Sequence, residues 1–83
     1  MTVPPYASDI NLWQHRLMGL LAKHSERFGQ PRSLSIERQV ADAEDEDDVN
    51  VAVNMLVGSF GFNDMPDDVK DMLDAWEEAN KWE

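Results

Sequence analysis

Ile10, Trp13, Leu17, Leu20, Leu21 and Phe28, with His24 among them, recur at intervals of three and four residues. That spacing places them on one face of an amphipathic helix and predicts a helix from about Asp9 to Phe28. Ser8 or Asp9 stands where a side-chain oxygen can take up a free backbone N–H of the first turn. Gly29 is a suitable stop, and Pro31 behind it does not easily continue a helix. Arg16, Lys23 and Arg27 fall together along one edge of the apolar stripe.

A shorter second helix begins near Ser33 or Ser35 and carries Ile36, Val40 and Ala43. It runs into Asp42-Ala43-Glu44-Asp45-Glu46-Asp47-Asp48, in which six of seven residues are acidic. Negative charge disfavours a helix C-terminus and favours an N-terminus. The block should therefore end the second helix and open a third, capped by Asp47 or Asp48. Residues 49–60 carry two patterns at once. Val49, Val51, Val53, Met55 and Val57 alternate like a strand, whereas Val49, Ala52, Val53, Leu56, Val57 and Phe60 fit a helical stripe. No second strand is legible to pair with the first, and a lone strand leaves its backbone groups unbonded; helix is the choice. Phe60-Gly61-Phe62-Asn63 then makes a turn.

In the last segment, Met65, Val69, Met72, Leu73, Trp76 and Ala79 form an apolar face. Asp64, Asp67, Asp71, Asp74 and Glu78 form the opposite one, flanked by Asp68 and Glu77. Asp64, three residues before Asp67, resembles an acidic capping box, and Pro66 suits a first turn. The expectation is an all-α fold, a small three- or four-helix bundle with short loops, with Trp13 and Trp76 at its centre. Residues 1–83 then form a single domain, with 1–8, which include Pro4-Pro5, as an extended lead-in.

Length and charge sharpen this picture. A chain of 83 residues has room for one core and buries only about 60% of its unfolded surface. With no cysteine, neither disulfides nor thiolate metal sites can supplement that core. No stretch approaches the roughly 20 apolar residues that span a bilayer, and the N-terminus lacks the basic and apolar regions of a signal peptide. The expected compartment is the cytoplasm of the cell that makes or hosts the protein. The formal charge of −10 is unevenly spread. Residues 1–40 hold Arg16, Lys23, Arg27, Arg32 and Arg38 against Asp9, Glu26 and Glu37, a balance of +2. Residues 41–83 hold fourteen acids against Lys70 and Lys81, a balance of −12. Such asymmetry points to an interaction surface, while a solvated face that serves solubility is the plainer explanation.

Most site chemistries fail on spacing. Started at Asp42, the acidic block meets an EF-hand at Glu44 and Glu46. It has Asp47 where the loop needs glycine and Val53 where it needs the closing glutamate. His15 and His24 are nine residues apart on one helix and cannot grip a metal from adjacent turns; His24 reads as a core or boundary residue. Gly58-Ser59-Phe60-Gly61 lacks the spacing and lysine of a phosphate loop. Ser8, Asp9 and His15 make no more than a chance triad. The chain is therefore read as non-catalytic, with no cofactor and no metal.

Three resemblances remain. Ser33-Leu34 ahead of an acidic helix looks similar to acyl carrier proteins, acidic four-helix bundles with a cofactor on a serine that starts a helix. Here Arg32 stands where that family has aspartate. Small acidic helical immunity proteins of the colicin type are similar in composition, but their tyrosine pair before a proline is missing, Tyr6 being the sole tyrosine. Carboxylates three and four residues apart on a helix are spaced about 4.5–6 Å along its axis, against about 3.4 Å per phosphate along one DNA strand. In size, charge and helicity the chain resembles the acidic DNA-mimic inhibitors of phages and mobile elements, anti-restriction and anti-CRISPR proteins among them.

That resemblance implies a basic, nucleic-acid-binding protein as partner, with no direct binding to nucleic acid or membrane. The candidate contacts are Asp45, Glu46, Asp47, Asp48, Asp64, Asp67, Asp71, Asp74 and Glu78. Phe60 and Phe62 are either an apolar anchor beside them or wedges of the turn against the core. The alternative is an assembly protein that homodimerises through its apolar faces.

Overall fold

A computed structural model describes residues 9–60 and 64–81. It contains four α-helices and no strand among those residues: α1 (Ile10–His24), α2 (Gln30–Ala41), α3 (Glu46–Gly58) and α4 (Asp67–Lys81). Residues 49–58 are helical. Val49, Ala52, Val53 and Leu56 are buried, whereas Val51, an inward position of the alternating pattern, is 46% exposed. The lead-in 1–8, with Ser8 and Tyr6, and the turn residues 61–63, with Phe62, lie outside the described residues.

The element boundaries differ from expectation for local reasons. The first helix tightens at Ser25 into a 3-10 turn, Ser25–Arg27, instead of continuing to Phe28. Gly29 then takes φ 79° and ψ 162°, a conformation essentially restricted to glycine. This redirects the chain sharply enough for α2 to start at Gln30, ahead of Ser33. Pro31 falls in its first turn, where a missing N–H costs nothing; the proline opens α2 instead of merely closing α1. At the acidic block the electrostatic argument holds: α2 stops at Ala41 and α3 begins with Glu46, Asp47 and Asp48. The cap is Asp45, however, not Asp47 or Asp48. For α4, the Lys70 N–H donates to the Pro66 carbonyl at 3.0 Å, so Pro66 occupies the cap position and Asp64 lies outside it.

Side-chain bonds across the bundle fix its topology. Gln14 Nε2 on α1 donates to the carbonyls of Val40 (3.0 Å) and Ala43 (3.1 Å) at the end of α2, partners that helix ends otherwise lack. Arg32 near the start of α2 donates to Ser59 Oγ (2.9 Å) and the Met55 carbonyl (3.2 Å) at the end of α3. Its charge sits at the negative pole of that helix. Gln39 Nε2 reaches the Asp48 carbonyl at the start of α3, 3.2 Å away. These contacts run α1, α2 and α3 up, down and up. α4 descends in the groove between α1 and α3, and its backbone makes no close approach to α2.

Trp13 and Trp76 meet edge to face with ring centroids 5.0 Å apart, both essentially buried. The Trp76 indole N–H donates to Asn50 Oδ1 at 2.9 Å, so one side chain joins α4 to both neighbours. Truncating Trp76 to alanine should cost about 3–5 kcal/mol of unfolding free energy. Val51→Ala, on the exposed side of α3, should stay within about 0.5 kcal/mol. Urea denaturation followed by tryptophan fluorescence or circular dichroism checks both.

Candidate protein-binding surface

Asp67, Asp71, Asp74 and Glu78 are all exposed. At 100° per residue they fall within an arc of about 60° on α4 and span about 16 Å of its axis. Directly opposite, Val69, Met72, Trp76 and Ala79 are buried. Packing of the apolar face thus dictates where the acids point. None of the four carboxylates forms an ion pair among the described residues, and Lys70 and Lys81 on the same helix leave them uncompensated. Asp64 is exposed ahead of the helix and adds a fifth charge at its start.

The acidic block serves two purposes. Asp45 Oδ1 accepts the Asp48 N–H at 3.0 Å, and Asp48 Oδ2 accepts the Glu44 N–H at 3.1 Å. This reciprocal arrangement satisfies donors on both sides of the helix start. Asp45 and Asp48 therefore shape the turn as well as charging it, while Asp47 is exposed and Glu46 half-buried. The Trp76–Asn50 bond sets the first turns of α3 beside the C-terminal half of α4. The block thus stands at the Glu78 end of the stripe, with Asp64 and Asp67 at the other.

Asp68, a flank of the stripe in sequence, is the acid that the fold consumes. Lys23 Nζ lies 2.8 Å from its Oδ2, and His24 Nε2 lies 3.1 and 3.2 Å from its two oxygens. Because a carboxylate only accepts, His24 must carry a hydrogen on Nε2. The hydrogen bond from Lys23 is the largest influence and, with His24, lowers the Asp68 carboxyl from 3.8 to about 2 against a smaller opposing effect of desolvation. His24 is thus a boundary residue with a satisfied ring, as its place on the apolar stripe suggested. The basic edge of α1 does not stand apart from the acids: Lys23 pairs with α4, and Arg16 lies over the Trp13 ring, 5.6 Å from its centroid.

Phe60 is 8% exposed. It packs edge to face on Phe28 (5.1 Å) and His24 (5.6 Å), beneath the Arg27 guanidinium at 5.3 Å. It is a wedge in the core and not an exposed anchor. Ser33, the serine of the carrier-like pattern, lies inside α2, with its hydroxyl donating to the Ser25 carbonyl at 3.2 Å. Among the described residues no group of three or more His, Asp or Glu side chains is placed to hold a metal ion, and no helix is long and apolar enough to cross a membrane. The chain matches no model of a known protein family, no curated protein and no solved structure.

Two expectations separate the acids by role. Asp45→Ala should cost about 1 kcal/mol through loss of the cap, whereas Asp47→Ala should change stability by less than about 0.5 kcal/mol; chemical denaturation of both variants is the check. Asp68 has a depressed folded-state pKa, so its stabilising contribution is complete above about pH 4 and is lost as pH falls toward about 2. Comparing denaturation midpoints across that window, the wild type should lose an increment of stability that Asp68→Asn does not lose.

Proposed function

We propose that the protein is a non-catalytic binding module that presents α4 to the basic surface of a nucleic-acid-binding protein and so inhibits it. This is the mode of the small acidic DNA mimics used in phage-type counter-defence against restriction or CRISPR systems. The observation that carries the reading is the line Asp67, Asp71, Asp74 and Glu78, exposed and without an ion pair among the described residues, on a helix whose opposite face is buried. Packing of the apolar face alone sets the acids in line on the outer side of α4. A basic groove that receives a phosphate backbone needs an ordered row of negative charge.

The row is held rigidly, because Trp76 is fixed by both its ring contact and its indole bond. Little ordering cost then remains at binding. Asp47 extends the negative surface beyond the Glu78 end, and Asp64 extends it at the other. Among the described residues, the large exposed apolar side chains Leu12, Leu34 and Val51 lie on three different helices.

The protein, immobilised, should retain a nucleic-acid-binding partner from host extract at low salt and release it to a duplex DNA oligonucleotide. Changing Asp67, Asp71, Asp74 and Glu78 together to Asn or Gln should weaken retention at least about tenfold and flatten its salt dependence. All four positions are exposed, so the fold should survive. Retention unaltered by the four changes, or indifferent to duplex DNA, would rule the proposal out.

A further inference from the structure

Among the described residues, the α1/α3 groove is filled by α4, but its counterpart between α1 and α2 is open. A cavity of about 490 Å³ runs there, floored by Met18, Leu21, Ala22 and Leu34. Leu34 is 59% exposed, the most exposed large apolar residue described. The walls carry one exposed glutamate each, Glu26 beyond the end of α1 and Glu37 on α2. Neither forms an ion pair among the described residues, and no lysine or arginine lines the cavity.

The filled groove shows what such a rim selects. There the α1 edge is basic, and the helix lying against it brings an acid to pair with Lys23. The open groove has the opposite sign on both walls. We infer that the α1/α2 groove is a docking site for an amphipathic helix of a partner protein, with an apolar stripe flanked by lysines or arginines. Two antiparallel helices form a trough that a third helix fits by ridge-into-groove packing, and apolar anchors with charged flanks are the usual grammar of helix-in-groove recognition. From Met18 to Ser25 on one wall and Gln30 to Glu37 on the other, the trough is about two turns long. It takes anchors at positions i, i+3 or i+4, and i+7. The thioether of Met18 suits such a surface because it adapts to differing partners. This site is separate from the α4 stripe and does not depend on the function proposed for it.

Three synthetic helical peptides test the assignment by titration into isotope-labelled protein at moderate salt. One has leucines at i, i+4 and i+7 with lysine flanks; one keeps the leucines with glutamate flanks; one keeps the lysines with serine for leucine. The first should bind most tightly and shift the backbone resonances of Ala22, Ser25, Ser33 and Leu34. Leu34→Ser should weaken it roughly fivefold to tenfold, the loss expected from one partly buried leucine. Glu26→Gln with Glu37→Gln should weaken it by roughly threefold. The variant lacking the four α4 carboxylates should still bind it, a result that keeps this test apart from that of the acidic stripe. Shifts centred on Asp67, Asp71, Asp74 and Glu78, equal binding of the serine peptide, or no binding at millimolar peptide would each overturn the proposal. So would self-association abolished by Leu34→Ser, which would assign the groove to a second copy of the chain.

Discussion

The contact between Trp13 and Trp76 is the constraint on which the rest of the molecule depends. α4 carries four aligned carboxylates and, at 15 residues, is short enough to be marginal as an isolated helix. Like charges at three- and four-residue spacing oppose it by about 0.2–0.5 kcal/mol per pair. The pairs Asp67–Asp71, Asp71–Asp74 and Asp74–Glu78 together oppose it by on the order of 1 kcal/mol, offset in part by Lys70 between Asp67 and Asp74 and by Lys81 beyond Glu78. Burying Val69, Met72 and Trp76 contributes about 1.5–3 kcal/mol for each large side chain. Packing therefore outweighs repulsion several times over, and the helix tolerates an uncompensated face because its other face is so completely covered. The same indole that fills the core also bonds Asn50, so α4 is held in rotation as well as in place.

Charge that is segregated along the sequence is not segregated in space. The antiparallel descent of α4 along α1 brings the weakly basic first half of the chain against the most acidic helix. Lys23 and His24 take up one acid, Asp68, on the inner flank. The cations of α1 thus neutralise the acid nearest the core boundary and leave the outward line untouched. Arg32 and Gln14 complete helix ends, Arg27 covers Phe60, and Arg16 covers Trp13. Each is placed by a local need of the fold, and together they leave the acidic stripe without an ion pair among the described residues.

The helices and the core were legible in the sequence where one periodicity dominated. Trp13, Leu17 and Leu21, or Val69, Met72 and Trp76, repeat at helical spacing and are buried accordingly. The mixed pattern around Val51 resolves as helix because α1 and α2 offer a surface for Val49, Val53 and Leu56, whereas no strand exists to pair with it. The misplaced boundaries trace to conformations that a residue type permits without requiring. Gly29 could have ended one helix or, as it does, swung the chain directly into the next with Pro31 in its first turn. Asp45, Asp47 and Asp48 are all competent caps, and only the backbone angle at residue 45 selects among them. The α4 stripe could be read from the sequence because it is a property of one helix. The roles of Asp68, Gln14 and Arg32 could not, because each depends on a partner 23 or more residues away.

Acidity by itself is therefore a poor guide to which carboxylates act on a partner. Asp45 and Asp48 hold a turn, Asp68 holds α4 to α1, and mutation of any of these alters the fold before it alters a surface. Asp67, Asp71, Asp74 and Glu78 have no such duty. Neutralising them should change stability by no more than about 1 kcal/mol, because the repulsion relieved along α4 is set against the favourable charge of Asp67 in its first turn.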